Sequence, residues 1–267
     1  MDPVEARPAV WISLFVAIGV VGVVFMIYVY VWLYYAGFKA FHHVPTCLDE
    51  HMDILFEPEP HARLLQTMAV LHAELESLGV PYWIGSGTLL GLMRHGAIIP
   101  HDDDIDICIP EAHQQAVADA LGQKYSYEDD MPFLGGLSKF RLPGSKAFVD
   151  IFWMHEHGAG DDAKHRWTYV SDCAEMWPEE LFYAHELWPL QNTLLNDVVV
   201  RAPKTPVPYL TRTYGPAWGS EIRFHSHSAS GAFFTLFSKG KVGLTPAVDA
   251  CMRQCSSRVT SRGFSEA

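Results

Sequence analysis

The fold is decided by the stretch from Tyr82 to Pro110, which reads YWIGSGTLLGLMRHGAIIPHDDDIDICIP. It begins as a short apolar strand, turns at Gly85–Gly87 and later places three acids at alternate positions, Asp102, Asp104 and Asp106. If this second run is a strand, its two-residue period points the three carboxylates to one face and the neighbouring isoleucines to the other. The stretch therefore predicts an acidic site set against a packed core.

A row of acids at this spacing indicates a bound cation. Like charges repel, and burying them unpaired costs several kcal/mol, so such a row usually has a positive ion to neutralise it. Carboxylate oxygens suit Mg²⁺ or Mn²⁺, and these ions commonly hold phosphates as well. The run predicts a site for Mg²⁺ or Mn²⁺, and a solvated acidic loop is the alternative interpretation.

The glycine turn ahead of the acids supplies the features of a phosphate site. Glycine lets the backbone approach a ligand closely, and a helix is predicted to begin near Thr88. The free N–H groups at the start of a helix favour an anion. Turn and acids together predict a site for a metal ion and a phosphate.

Further elements surround this stretch. Apolar residues at alternating spacings of three and four predict an amphipathic helix over Leu64–Leu78. A strand is predicted at Ser138–Leu142, and a second one at Ala147–Met154, which is apolar throughout except for Asp150. A lone charge in such a run is seldom buried without a partner, so Asp150 is a candidate site residue. A position at the end of an edge strand is the alternative for this aspartate.

The N-terminal part of the chain has a different composition. From Ala9 to Phe38 there is no charged residue, and as a helix this span would extend about 45 Å, more than the roughly 30 Å hydrocarbon core of a bilayer. Aromatic residues crowd its C-terminal end, as in an interfacial belt. The segment predicts an uncleaved membrane anchor. The alternative, a cleaved signal peptide, typically has an apolar region of about 7–15 residues after a basic flank.

The net charge and the cysteine content limit the classes of function that the chain can have. The 267 residues carry a net charge of −12, and a negative surface repels nucleic acid, so binding of DNA or RNA is excluded as the expected role. A nucleotide is expected here only as a small-molecule substrate. The five cysteines form no dense framework and leave the redox compartment open.

Four blocks of the chain carry a resemblance to a known family. They read GSGTLLGLMRHGAIIPHDDDIDI at Gly85–Ile107, FVDIFWM at Phe148–Met154, LWPLQNTLLNDVVVRAPK at Leu187–Lys204 and YLTRTYGPAW at Tyr209–Trp218. Together they resemble the LicD/fukutin family of phosphotransferases, and the first block is the most specific. The family often has a tryptophan where this chain has His101, and the resemblance ends near residue 220.

The resemblance implies both a fold and an activity. The expected fold is α+β, a nucleotidyltransferase-like mixed β-sheet flanked by helices, preceded here by one N-terminal transmembrane helix. The expected reaction moves a phospho-alcohol or phospho-sugar, such as phosphocholine or phosphoribitol, from a CDP- or UDP-linked nucleotide diphosphate donor to a glycan hydroxyl. Several family members are single-pass membrane proteins, so we expect a type II protein with its catalytic domain in the secretory lumen, the Golgi if the source is eukaryotic.

Roles for the acids follow from the same resemblance. Asp104 and Asp106 are expected to be the chief Mg²⁺ or Mn²⁺ ligands. Asp102 is expected to be either a third ligand or a residue that contacts one of the ligands. Asp150 matches the family's third acid and either completes the metal site or acts as general base. The expected catalytic residues are therefore Asp104, Asp106 and Asp150.

Donor phosphates are expected to contact the glycine turn and nearby basic side chains. Phosphoryl transfer depends mainly on positioning and electrostatics, so cations should face the phosphates. Arg94 lies within the first block, and Lys139 and Arg141 alternate on one predicted strand. The full predicted set is Gly85, Ser86, Gly87, Thr88, Arg94, Lys139 and Arg141.

The chain is predicted to contain five segments. They are a short head at 1–8, the transmembrane anchor at 9–38, a stem at 39–60, the LicD-like catalytic domain at 61–220, and a C-terminal extension at 221–267 with a partly disordered tail. Two other functions are open: a D-x-D glycosyltransferase acting on a nucleotide sugar, and a non-catalytic binding module of the same fold. The glycine turn and Asp150 favour the nucleotidyltransferase arrangement, and the presence of every required acid favours an enzyme.

Overall fold

The chain forms two compact units, Met1–Pro45 and Thr46–Ala267. The computed structural model describes residues 19–30, 58–99, 102–128, 135–159, 164–223, 241–243, 250 and 253. The five predicted segments stay a prediction, and most of the stem and of the C-terminal tail lies outside the described residues.

The first unit corrects the predicted membrane anchor. Its described residues, 19–30, are helical. Among the residues that the structure describes, no helix is both long and apolar enough to cross a membrane. The predicted transmembrane helix at 9–38 is therefore wrong, and so is the predicted location as a single-pass protein of the secretory lumen. Residues 9–18 and 31–38 of that predicted span lie outside the described residues.

The second unit contains helices and strands in alternation. Its described helices are α1 (Pro58–Leu78), α2 (Ser86–His95), α3 (Gln114–Gly122), α4 (Ser171–Met176), α5 (Ala184–Leu187) and α6 (Pro206–Tyr214), with a 3₁₀ turn at Glu111–His113. Its described strands are β1 (Trp83–Ile84), β2 (Ile105–Pro110), β3 (Ser126–Glu128), β4 (Leu137–Arg141), β5 (Phe148–His157), β6 (Arg166–Tyr169), β7 (Leu181–Tyr183), β8 (Gln191–Leu195), β9 (Val198–Ala202), β10 (Glu221–Arg223) and β11 (Lys241–Gly243).

Seven strands form a mixed sheet. The order β1-β2-β5-β4-β3 makes its main path, and β6 pairs with β5 and β7. Strands β2 and β5 are parallel, whereas the other pairs are antiparallel. Strands β8 and β9 form a separate two-stranded sheet, and so do β10 and β11. This arrangement confirms the predicted α+β class with a mixed sheet and flanking helices.

The two faces of the central sheet differ in chemistry. On β5, Val149, Ile151 and Trp153 are fully buried, and they alternate with Asp150 and Phe152 on the opposite face. Helix α1 packs against β4 and β5. One side of the sheet thus faces a largely apolar core, and the other side carries the acids.

Helix α1 confirms the predicted amphipathic pattern. Leu64, Met68, Leu71 and Leu75 are at most 1% exposed, and their spacing of three and four residues places them on one face. Leu78, at the end of the helix, is 39% exposed. This apolar stripe therefore holds the helix against the core. Burial of each of its side chains contributes about 1.5–3 kcal/mol to stability.

Removal of one buried side chain from this stripe tests its contribution. Leu71→Ala is expected to lower the free energy of unfolding by about 2–5 kcal/mol, because it leaves a cavity in the core. Leu78→Ala, the matched control, should lower it by about 1 kcal/mol or less. Chemical denaturation of the full chain measures both values. Equal losses from the two variants would show that α1 is packed differently.

Candidate active site

Three carboxylates meet on one face of the sheet. Asp106 and Asp150 are register partners on the parallel strands β2 and β5, and Asp104 lies just before β2. One oxygen from each of the three lies within 4.8 Å of the others. Because side chains in register on neighbouring strands point the same way, the two acidic motifs of the sequence are brought together here.

The charge of this cluster favours a cation. Burial, followed by the charges of Asp104, Asp102, Asp150 and Glu180, raises the pKa of Asp106 well above its usual range. Three carboxylate oxygens at this separation form the oxygen donor set that Mg²⁺ and Mn²⁺ prefer. The residues present therefore fit such an ion.

Lys139 provides one positive charge at the cluster. It is the register partner of Asp150 on β4, and its ammonium nitrogen lies 2.5 Å from Oδ1 of that aspartate. The same ammonium lies 3.8 Å from the ring centroid of Phe148. Both side chains of the ion pair are largely buried, so the pair is weakly screened by solvent.

Asp102 lies to one side of the three clustered acids. Its carboxylate forms a second close group with Asp103 and Asp104, and its backbone oxygen lies 2.7 Å from Nε2 of His61. A Cβ added at Gly87 would lie 2.9 Å from Oδ2 of Asp102, so the first turn of α2 lies directly against this carboxylate. A negative charge is favourable at a helix N-terminus, so the carboxylate of Asp102 stabilises the start of α2.

Residues at the start of α2 hydrogen-bond both backbone groups of Asp106, its N–H and its carbonyl oxygen. The N–H of Gly85 donates to the carbonyl oxygen of Asp106 at 3.2 Å. The hydroxyl oxygen of Thr88 accepts the N–H of Asp106 at 2.8 Å. Two residues predicted to contact phosphate thus position an acid of the cluster.

Ser86 also makes its contacts with protein groups. Its N–H donates to the hydroxyl of Tyr209 at 3.0 Å, and its Oγ lies 3.0 Å from the hydroxyl of Tyr169. Its φ of 42° is in the left-handed region, which non-glycine residues adopt at a cost of about 1–3 kcal/mol. A strained residue at the start of α2 is held in place by two tyrosines.

Both predicted phosphate-binding arginines contact other parts of the chain. Arg94 is buried, and its guanidinium donates to the backbone oxygens of Trp218 and Glu221, which ties α2 to the segment after α6. Arg141 pairs with the carboxylate of Glu128 across β3 and β4. Of the three predicted basic residues, the structure brings Lys139 into contact with the acid cluster.

Sequence reasoning missed Glu180, a buried acid next to the cluster. Its carboxylate accepts hydrogen bonds from the hydroxyls of Tyr209, Tyr169 and Ser86, the last two at 3.4 Å. Burial raises the pKa of Glu180 to about 7. The residue lies in a polar stretch between α4 and β7 that has no periodicity or motif, so the sequence carried no signal for it.

A family model identifies the part of the chain that holds the site as a nucleotidyltransferase-type domain. The family model described as LicD/FKTN/FKRP, nucleotidyltransferase domain, matches residues 79–205, which include the glycine turn and all the acids of the cluster. The chain belongs to the LicD/fukutin family, as its sequence predicts.

Three relatives illustrate the family. An uncharacterized protein of Rickettsia prowazekii is 34% identical over 192 residues, which cover 68% of this chain and 66% of the relative. Ribitol-5-phosphate transferase FKTN of Mus musculus is 28% identical over 184 residues, which cover 66% of this chain and 36% of the relative. Lipopolysaccharide cholinephosphotransferase LicD of Haemophilus influenzae is 37% identical over 60 residues, 22% of this chain and 23% of the relative. The chain therefore spans only part of the length of each of these relatives.

Proposed function

We propose that the chain is a metal-dependent phosphotransferase that moves a phospho-alcohol or phospho-sugar from a nucleotide diphosphate donor to a glycan hydroxyl. The observation that carries this proposal is the convergence of Asp104, Asp106 and Asp150, whose oxygens lie within 4.8 Å of one another. The named relatives, a ribitol-5-phosphate transferase and a cholinephosphotransferase, support the reaction class.

The acid cluster is the proposed site for Mg²⁺ or Mn²⁺. Asp104, Asp106 and Asp150 would hold the ion, and Asp102 would stabilise the start of α2 beside it. When bound, a divalent ion supplies positive charge at the donor phosphates and at the departing nucleotide. We assign Asp150 the role of ligand rather than general base, because its carboxylate oxygen lies within 4.8 Å of those of Asp104 and Asp106.

The transfer itself exchanges one P–O bond for another. The acceptor hydroxyl oxygen forms a bond to the donor phosphorus that carries the head group, and the bond from that phosphorus to the bridging oxygen breaks. A nucleoside monophosphate leaves with the bridging oxygen, and the hydroxyl proton passes to solvent. The protein's task in such a reaction is to orient both partners and to stabilise negative charge.

Donor phosphates are proposed to bind between Lys139 and the first turn of α2. The N–H groups of Gly87 and Thr88 lie at the N-terminus of this helix, where an anion is favoured. Ser86 and Arg94 support the same helix through their contacts with Tyr209 and with the backbone after α6. In this proposal they position the phosphate site, and Lys139 supplies its cation.

A donor panel tests the proposed function. The full chain is incubated with Mg²⁺, simple saccharide acceptors, and CDP-choline, CDP-ribitol or UDP-linked donors, and the released nucleotide is identified by chromatography. We expect release of a nucleoside monophosphate and a phosphodiester signal in the ³¹P NMR spectrum of the product. Release of a nucleoside diphosphate with a glycosidic product would identify a glycosyltransferase, and the absence of release from every donor by folded protein would support a binding module.

A further inference from the structure

Glu180 gathers hydrogen bonds from three separate elements. Its Oε2 accepts the hydroxyls of Tyr209 on α6, Tyr169 on β6 and Ser86 on α2, and its own side chain is buried. Tyr209 in turn accepts the N–H of Ser86 at 3.0 Å, while its ring stacks on Phe182 with centroids 4.0 Å apart. The carboxylate is the common acceptor of this hydroxyl network.

The network reaches the acid cluster through the start of α2. Ser86, which has the left-handed φ of 42°, is held by Tyr209 and Tyr169. Its neighbour Gly85 donates to the carbonyl of Asp106, and Thr88 accepts the N–H of Asp106. A continuous set of contacts therefore runs from the Glu180 carboxylate to the backbone of a proposed metal ligand.

A carboxylate at this place weakens the fold at neutral pH. Burial raises the pKa of Glu180 from about 4.5 to about 7. The stability associated with its neutral form is fully present below about pH 4.5 and is lost as the pH rises through about 7. A glutamine of the same shape would avoid that loss, so stability alone does not account for glutamate here.

The other groups that face Glu180 do not remove this effect. Burial raises the pKa of the three tyrosines and the cysteine around it well above their usual ranges, so these groups stay neutral near pH 7. The titratable groups facing Glu180 are Cys108 and Asp106 on β2, Tyr169 on β6, and Tyr209 and Tyr214 on α6. Its hydroxyl partners therefore donate hydrogen bonds without neutralising its charge.

We propose that Glu180 is a positioning residue that fixes the start of α2, and through it the backbone of Asp106, so that the acid cluster can bind a divalent cation. The inference rests on the proposed function for its effect on turnover, whereas its effect on cation binding can be measured without any donor. Partners that orient metal ligands typically contribute 10–100-fold to metal affinity or activity.

Glu180→Gln in the full chain tests this proposal. Calorimetric titration with Mg²⁺ and with Mn²⁺ at pH 8 is expected to show affinity about 10–100-fold weaker than in the unchanged protein. Without metal at pH 8, the melting temperature of the variant should exceed that of the unchanged protein by a few degrees, and this difference should shrink at pH 5. Tyr209→Phe, which removes the hydroxyl link and keeps the ring, should weaken cation binding in the same direction.

Glu179→Gln is the matched control, because Glu179 is the adjacent, exposed glutamate. It should leave cation affinity and melting temperature unchanged. Unaltered cation affinity in Glu180→Gln would overturn the proposal, and so would a variant that melts lower by the same margin at both pH values. If the unchanged protein binds Mg²⁺ but releases no nucleotide from any donor, the proposed function fails while the result for Glu180 stands.

Discussion

Asp106→Asn is expected to lower turnover by about 10²–10⁴-fold while the fold remains intact. The amide has nearly the same shape as the carboxylate but carries no charge, so it removes one anionic ligand from a cluster whose oxygens lie within 4.8 Å of one another. A metal ion contributes several kcal/mol to the stabilisation of developing charge, and each 1.36 kcal/mol is a factor of ten in rate. Asp104→Asn should have an effect of the same size.

Steady-state assays at saturating donor and several Mg²⁺ concentrations measure this loss, and circular dichroism checks the fold. Asp103→Asn is the control, because Asp103 is exposed and immediately precedes the proposed ligand Asp104 in sequence. It should retain most of the turnover. Near-normal turnover in Asp106→Asn would show that the metal site is misplaced, and equal losses in all three variants would indicate a general effect of charge.

The central sheet and the acid cluster were predictable because their signals are local. Alternation of apolar and acidic residues in the run that leads into β2, and a lone aspartate in the apolar run of β5, each indicate which face a side chain occupies. Two such strands, once paired in parallel, place Asp106 beside Asp150. The helix α1 was predictable for the same reason, since its period of buried leucines repeats over several turns.

Contacts between distant segments could not be predicted. Glu180 contacts Ser86 and Tyr209 only because α6 and the connection before β7 fold against the start of α2. No periodic pattern in the sequence predicts that packing. Arg94 lies within the recognisable motif, yet tertiary packing directs its guanidinium to Trp218 and Glu221. The predicted span at 9–38 rested on composition alone, and no helix among the described residues is long and apolar enough to cross a membrane.

Lys139→Met is expected to lower turnover by about 10²–10³-fold, the loss typical of removing one donor from a developing negative charge. The ammonium of Lys139 lies 2.5 Å from Asp150, where it can reach donor phosphates bound at the acid cluster. Its loss also leaves Asp150 buried without this partner, so the metal-free variant should be less stable by about 3–5 kcal/mol. Saturating Mg²⁺ should restore most of that stability, because the ion supplies the missing positive charge.

Arg141→Met is the matched control for Lys139→Met, because Arg141 lies two residues further along the same face of β4 and pairs with Glu128 instead. Turnover, thermal melting with and without Mg²⁺, and Mg²⁺ affinity should be compared in both variants. If Lys139 acts on the donor, its variant loses turnover even when Mg²⁺ has restored its melting temperature, whereas Arg141→Met keeps turnover close to normal. Recovery of turnover together with stability would mean that Lys139 only neutralises Asp150. The positive charge at the donor phosphates would then be supplied by the metal ion alone.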